Sequence, residues 1–81
     1  MEQVTGTRTY EIHFDRIGAW VRDETATFEA ESPDQLAAKV AAYAGRRLIT
    51  RDVTVTIDIE SGRVFLGPGG RQGSGAIVST A

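Results

Sequence analysis

Hydrophobic and polar residues alternate over Thr7–Phe14, with Tyr10, Ile12 and Phe14 on one side and Thr9, Glu11 and His13 on the other. Successive side chains of a strand project to opposite faces, so this period of two predicts a half-buried strand. Asp15-Arg16-Ile17-Gly18 reads as a turn. Ala19–Glu24 then mixes Trp20 and Val21 with charges in no clean period, which predicts a long or bulged connection. A second strand is expected over Thr25–Ala30, with Ala26, Phe28 and Ala30 opposed to Thr25, Thr27 and Glu29.

The pattern changes at Ser32-Pro33-Asp34-Gln35. Ser suits the N-cap of a helix, Pro its first turn, Asp34 the positive end of its dipole, and Gln35 completes a capping box. Leu36, Val40 and Tyr43 recur at helical spacing, widened by Ala37, Ala41 and Ala44. The helix is predicted over Pro33–Ala44, with Gly45 ending it and Arg46 and Arg47 beyond.

Asp52–Glu60 alternates strictly, with Val53, Val55, Ile57 and Ile59 on the side expected to meet the helix. Ser61-Gly62 separates it from Val64-Phe65-Leu66, a short hairpin in which Gly62 takes the positive-φ position. Gly67–Gly75 reads as a flexible hairpin loop, and Ala76–Thr80 as a last strand. One helix cannot cover both faces of such a sheet, and short links favour antiparallel neighbours. The expected fold is therefore α+β, a two-layer sandwich with one helix on one face of an antiparallel sheet of four to five strands. The order is β-β-α-β-β-β, in one domain over residues 1–81 with residues 1–6 and the last residues as its flexible ends.

Composition narrows the function classes. The chain has 81 residues and no cysteine, which excludes disulfides, thiolate metal sites and thiol nucleophiles and leaves little structure for a deep catalytic cleft. Nine basic against eleven acidic residues give a net charge of −2, which argues against a dedicated binder of nucleic acid or anionic membrane. No apolar run approaches the roughly 20 residues of a membrane span, and Met1–Arg8 is polar. A cytoplasmic location with no membrane partner is the expectation. Eight Arg against one Lys, with no Asn, has the texture of GC-rich coding.

Candidate chemistry is sparse. His13, the single histidine, forms an E-x-H-x-D pattern with Glu11 and Asp15 on one strand face. A metal site needs more converging ligands, so a hydrogen-bonded surface histidine is the stronger reading and a metal-dependent enzyme the weaker one. Gly67–Gly75 lacks the spacing and the following helix of a phosphate-binding loop. Its residues Gly69, Gly70, Arg71 and Gln72 are instead a candidate docking loop. Trp20 reads either as an exposed anchor or as a cover over the sheet edge.

Residues 1–45 hold four basic and eight acidic side chains, and residues 46–81 five and three. Arg46, Arg47 and Arg51, with Arg63 or Arg71, form the candidate phosphate-contacting patch of the alternative reading, a nucleic-acid-binding module. Neither reading invokes a cofactor or a catalytic residue.

Arg8-Thr9-Tyr10-Glu11-Ile12-His13-Phe14-Asp15-Arg16-Ile17-Gly18, the capped helix, Thr50–Val55, Ser61–Arg63 and Gly67–Gly75 before a last strand together resemble small orphan proteins of actinobacteria and actinobacteriophages. The resemblance covers most of the chain. It implies a phage-type accessory gene product in the host cytoplasm and carries over no active-site residue. The leading expectation is a non-enzymatic protein that binds another protein through a sheet face, an edge strand or the Gly-rich loop. Self-pairing into a homodimer is a second use of an unpaired edge.

Overall fold

The Tyr10-Ile12-Phe14 alternation does form a strand, but one that runs further than its period suggests. In the computed structural model, which describes residues 6–49 and 53–81, β1 spans Arg8–Ile17 and β2 Val21–Ala30. They pair antiparallel from Arg8 opposite Ala30 to Ile17 opposite Val21. The reversal falls on Gly18-Ala19-Trp20, not on Asp15–Gly18 as the sequence suggested. Irregular backbone at Asp15 and Asp23 explains the difference. Asp23 has φ 52°, a left-handed conformation that aspartate tolerates better than most residues, and Asp15 is an extra residue in the β1 ladder to β5. A bulge shifts the in-out alternation by one. Phe14 and Ile17 are therefore both buried although they are three apart.

The helix α1 spans Pro33–Leu48. Ser32 is its N-cap, with its hydroxyl accepting from the Gln35 N–H at 3.1 Å while the Gln35 side-chain carbonyl accepts from the Glu31 N–H at 2.6 Å. Leu36, Val40 and Ala44 are buried, and Tyr43 stacks on Phe14 with ring centroids 5.5 Å apart, edge-on to Phe28. The predicted stop at Gly45 is corrected: Gly45 is buried inside the helix, which continues through Arg46 and Arg47. A glycine costs a helix interior about 1 kcal/mol. The packing of Leu48 against the core outweighs that cost.

After the helix come β3 (Val55–Asp58), β4 (Arg63–Leu66) and β5 (Gly73–Thr80). Thr50, Arg51 and Asp52, the last of which begins the predicted third strand, lie outside the described residues. Val53, Val55 and Ile57 pack against the core as expected, whereas Ile59 lies beyond the strand end and is half exposed. There the Asp58 carboxylate closes the turn, held below its usual pKa first by the Ser61 side chain and then by the Ser61 and Glu60 N–H groups. A lowered carboxylate pKa favours the folded state at neutral pH. That contribution disappears as the pH falls through the lowered value.

The fold is α+β: one five-stranded antiparallel sheet in the order β2-β1-β5-β4-β3, with the helix against β2, β1 and β3. The last strand in the chain lies in the middle. It pairs with β1 on one side and β4 on the other, and so joins two hairpins that share no other ladder. Gly73 and Gly75 make this possible. A Cβ on Gly75 would stand 2.6 Å from the His13 carbonyl oxygen, and one on Gly73 would stand 2.2 Å from that of Arg16. The chain end is tied down, since Ala81 and Thr9 exchange two backbone hydrogen bonds of 2.8 and 2.9 Å.

Gly75→Ala is therefore expected to destabilise by more than about 2 kcal/mol in denaturant melts, because the colliding atom is backbone that cannot step aside. A loss under about 0.5 kcal/mol would show that β5 does not approach β1 this closely. Ser32→Ala is expected to cost about 0.5–2 kcal/mol in the same melts through the loss of the cap.

Candidate functional site

Three chain segments meet at one end of the sheet. The paired row Val21, Ile17, Gly73, Leu66 and Val55 marks this end in register. Beyond it lie the β1–β2 turn Gly18–Trp20, the helix C-terminus at Leu48 and Ile49, and the Gly-rich turn after β4. They touch: the Gly18 N–H donates to the Gln72 carbonyl at 2.7 Å, and a Cβ on Gly18 would stand 2.6 Å from Leu48 Cδ2. The Arg16 guanidinium locks two of them together by donating to the Gly18 carbonyl at 3.0 Å and to those of Arg71 and Gly70 at 3.1 and 3.4 Å.

The expected flexible loop over Gly67–Gly75 takes a different form. Gly73–Gly75 belong to β5, and Pro68–Gly70 form one 3₁₀ turn. The Gly67 N–H donates to Thr54 at 2.7 Å and the Gln72 N–H to Leu66 at 2.9 Å, so the turn is anchored at both ends. Gly69 and Arg71 are exposed, while Gly70 and Gln72 are half-buried.

Two large apolar side chains stand in solvent at this end. Trp20 and Ile49 are each 92% exposed, so the indole does not cover the sheet edge. Ile49 is the helix C-cap, with φ 55° and ψ 50°, and its N–H donates to the Gly45 carbonyl. Left-handed backbone is where glycine or asparagine normally ends a helix, and for a β-branched residue it is an outlier. Sequence reasoning missed Ile49, because the helix end was assigned to Gly45.

The arginines are spread over separate elements. Arg47 donates twice to the Glu24 carboxylate, at 3.1 and 3.2 Å, and lies over the Tyr43 ring at 4.8 Å. Arg46 is exposed on the same last turn, Arg63 faces Asp58 across β4 and β3, and Arg71 caps the Gly-rich turn. Arg51 lies outside the described residues.

On the sheet face away from the helix, His13 Nδ1 lies 3.1 Å from the Thr25 hydroxyl, and Nε2 lies 3.5 Å from Asp23 and 4.0 Å from Asp15. The second carboxylate comes from β2, a partner that only the strand register reveals. Among the described residues no group of three or more His, Asp or Glu is placed to hold a metal. The outer edges are guarded, since the Lys39 ammonium donates to the Glu29 carbonyl on β2 and β3 is only four residues long.

No protein-family model, curated protein or solved structure matches the chain. No helix among the described residues is long and apolar enough to cross a membrane.

Conformational strain at Ile49 carries a direct prediction. Ile49→Gly is expected to stabilise the fold by about 1 kcal/mol, because it removes a Cβ from left-handed backbone without sacrificing buried area. Chemical denaturation with unchanged far-UV dichroism checks it. A destabilised variant would mean that the isoleucine side chain supports the fold.

Proposed function

We propose that the protein is a small non-enzymatic interaction protein, of the phage-type accessory kind, which captures a protein partner with the end that carries Trp20 and Ile49. The observation behind this reading is a residue held against its own stability. Ile49 occupies a backbone conformation costing of order 1–3 kcal/mol for a β-branched side chain, and its side chain gives nothing back because it is 92% exposed. Trp20 likewise leaves a large aromatic in water, and such residues concentrate the binding energy of protein interfaces.

The anchored Gly-rich turn supplies a rigid flank with Gly69 and Arg71 open to contact. Arg46 and Arg71 are exposed on the converging segments, so a partner with an apolar pocket rimmed by carboxylates suits this surface. The alternative, nucleic-acid capture by Arg46, Arg47 and Arg51, draws less support because Arg47 is already paired with Glu24. Self-association through the β2 edge is disfavoured by the Lys39 contact.

Capture from host lysate, with and without nuclease and at two salt concentrations, separates these readings. Trp20→Ala and Ile49→Gly are each expected to abolish retention of a protein with the fold intact, and replacing Arg46, Arg47 and Arg51 by Ala should change it little. Nuclease-sensitive capture that falls steeply with salt and disappears only with the triple arginine change would overturn the proposal in favour of nucleic acid.

A further inference from the structure

At the opposite end of β1, about 30 Å from Trp20 along a ten-residue strand, the sheet bears an open cleft of about 330 Å³. Arg8, Tyr10, Ile59, Gly62, Ile77 and Thr80 line it. Its position follows from the ladder. Glu11 faces Ser79 but Ile12 faces Ile77, so Val78 is an extra residue in β5. In a regular strand Ile77 and Ser79 would share a face. The bulge instead sets Thr80 opposite Tyr10, on the side where Tyr10 and Ile77 pack against the core. The β3–β4 turn contributes Ile59, a half-exposed isoleucine that continues no strand and closes one wall.

The lining is sharply divided in chemistry. Ile59 and Ile77 supply apolar side chains, and beside them stand Arg8, the cationic residue of the lining, and two hydroxyl-bearing residues, Tyr10 and Thr80. Among the six lining residues Arg8 alone carries a charge, so the complement is a single negative charge on a compact apolar body. At roughly 30 Å³ per water-sized group the volume holds about ten non-hydrogen atoms. We propose that this cleft binds a small apolar monocarboxylate, whose carboxylate pairs with Arg8 and whose hydrocarbon packs between Ile59 and Ile77.

The site is independent of the proposed partner-binding end, and its test does not require a partner. Octanoate and its neutral isostere octanamide are titrated into uniformly labelled protein while backbone amide shifts are followed by NMR. Octanoate should move the amides of Tyr10, Gly62 and Ile77 with affinity in the millimolar range, and octanamide should bind about tenfold more weakly. Arg8→Gln should erase that tenfold preference while leaving the remaining spectrum unchanged. Ile59→Ser should weaken both probes, and since Ile59 is half exposed this variant keeps its fold. The proposal fails if neither probe moves these amides at about 20 mM, if acid and amide bind alike, or if Arg8→Gln retains the preference.

Discussion

The whole sheet depends on one close approach, that of β5 to β1. The two hairpins β1–β2 and β3–β4 have no ladder between them except through β5, and β5 can take its place only because Gly73 and Gly75 bring no Cβ against the β1 carbonyls. A two-stranded hairpin alone is marginal in water. Once joined, the five strands present Ile12, Phe14, Val64 and Leu66 on one face, and the helix stripe Leu36, Val40 and Ala44 has a surface to bury against. Hydrophobic burial thus follows from a backbone contact. The contact in turn needs the residue type that contributes no hydrophobic surface at all.

Stability and exposure pull in opposite directions at the far end of the molecule. Arg16, Gly18, Gln72 and Leu48 hold the converging segments with hydrogen bonds and packing, and every one of these contacts favours the fold. Trp20 and Ile49 do neither job. Their side chains are in water, and Ile49 adds backbone strain. Rigid support beneath an exposed aromatic and an exposed aliphatic group lowers the entropy lost when such a surface docks.

Much of the fold was legible in the chain because most of its elements are locally consistent. The Ser32 N-cap, the strict alternation through Val55 and Ile57 and the positive φ of Gly62 each follow from a few neighbouring residues, and each is found, although Gln35 reaches back to the Glu31 N–H rather than to that of Ser32 and the turn takes in Ile59 and Glu60 as well. The deviations share one physical origin. Gly45 reads as a stop, but Leu48 finds packing that outweighs the glycine; Asp15–Gly18 reads as a turn, but β1 continues because Ile17 reaches the core past a bulge. Both outcomes are set by contacts distant in sequence. Trp20 was visible as a residue outside the periodic pattern, whereas Ile49 became notable only once the helix end was placed. The cleft at Arg8 was illegible, since it depends on the Val78 bulge, which no local periodicity reveals.

The two irregularities of β1 and its neighbours also account for why the molecule has two distinct ends. A regular strand that buries Tyr10, Ile12 and Phe14 would have placed Arg16 on the helix face and Ile17 in solvent. The extra residue Asp15, matched by left-handed Asp23 across the hairpin, exchanges them, so that Ile17 closes the core and the Arg16 guanidinium reaches the Gly-rich turn. The register then slips back at Val78, which restores alignment of β5 with Tyr10 and leaves Thr80 beside the cleft. Two compensating slips keep the central ladder paired along its length while each re-aims one end. Between them the backbones of His13 and Phe14 pass Gly75 so closely that a Cβ there would stand 2.6 Å from the His13 carbonyl oxygen. Changes in side-chain direction are thereby confined to the ends of β1, and its middle stays fixed by packing.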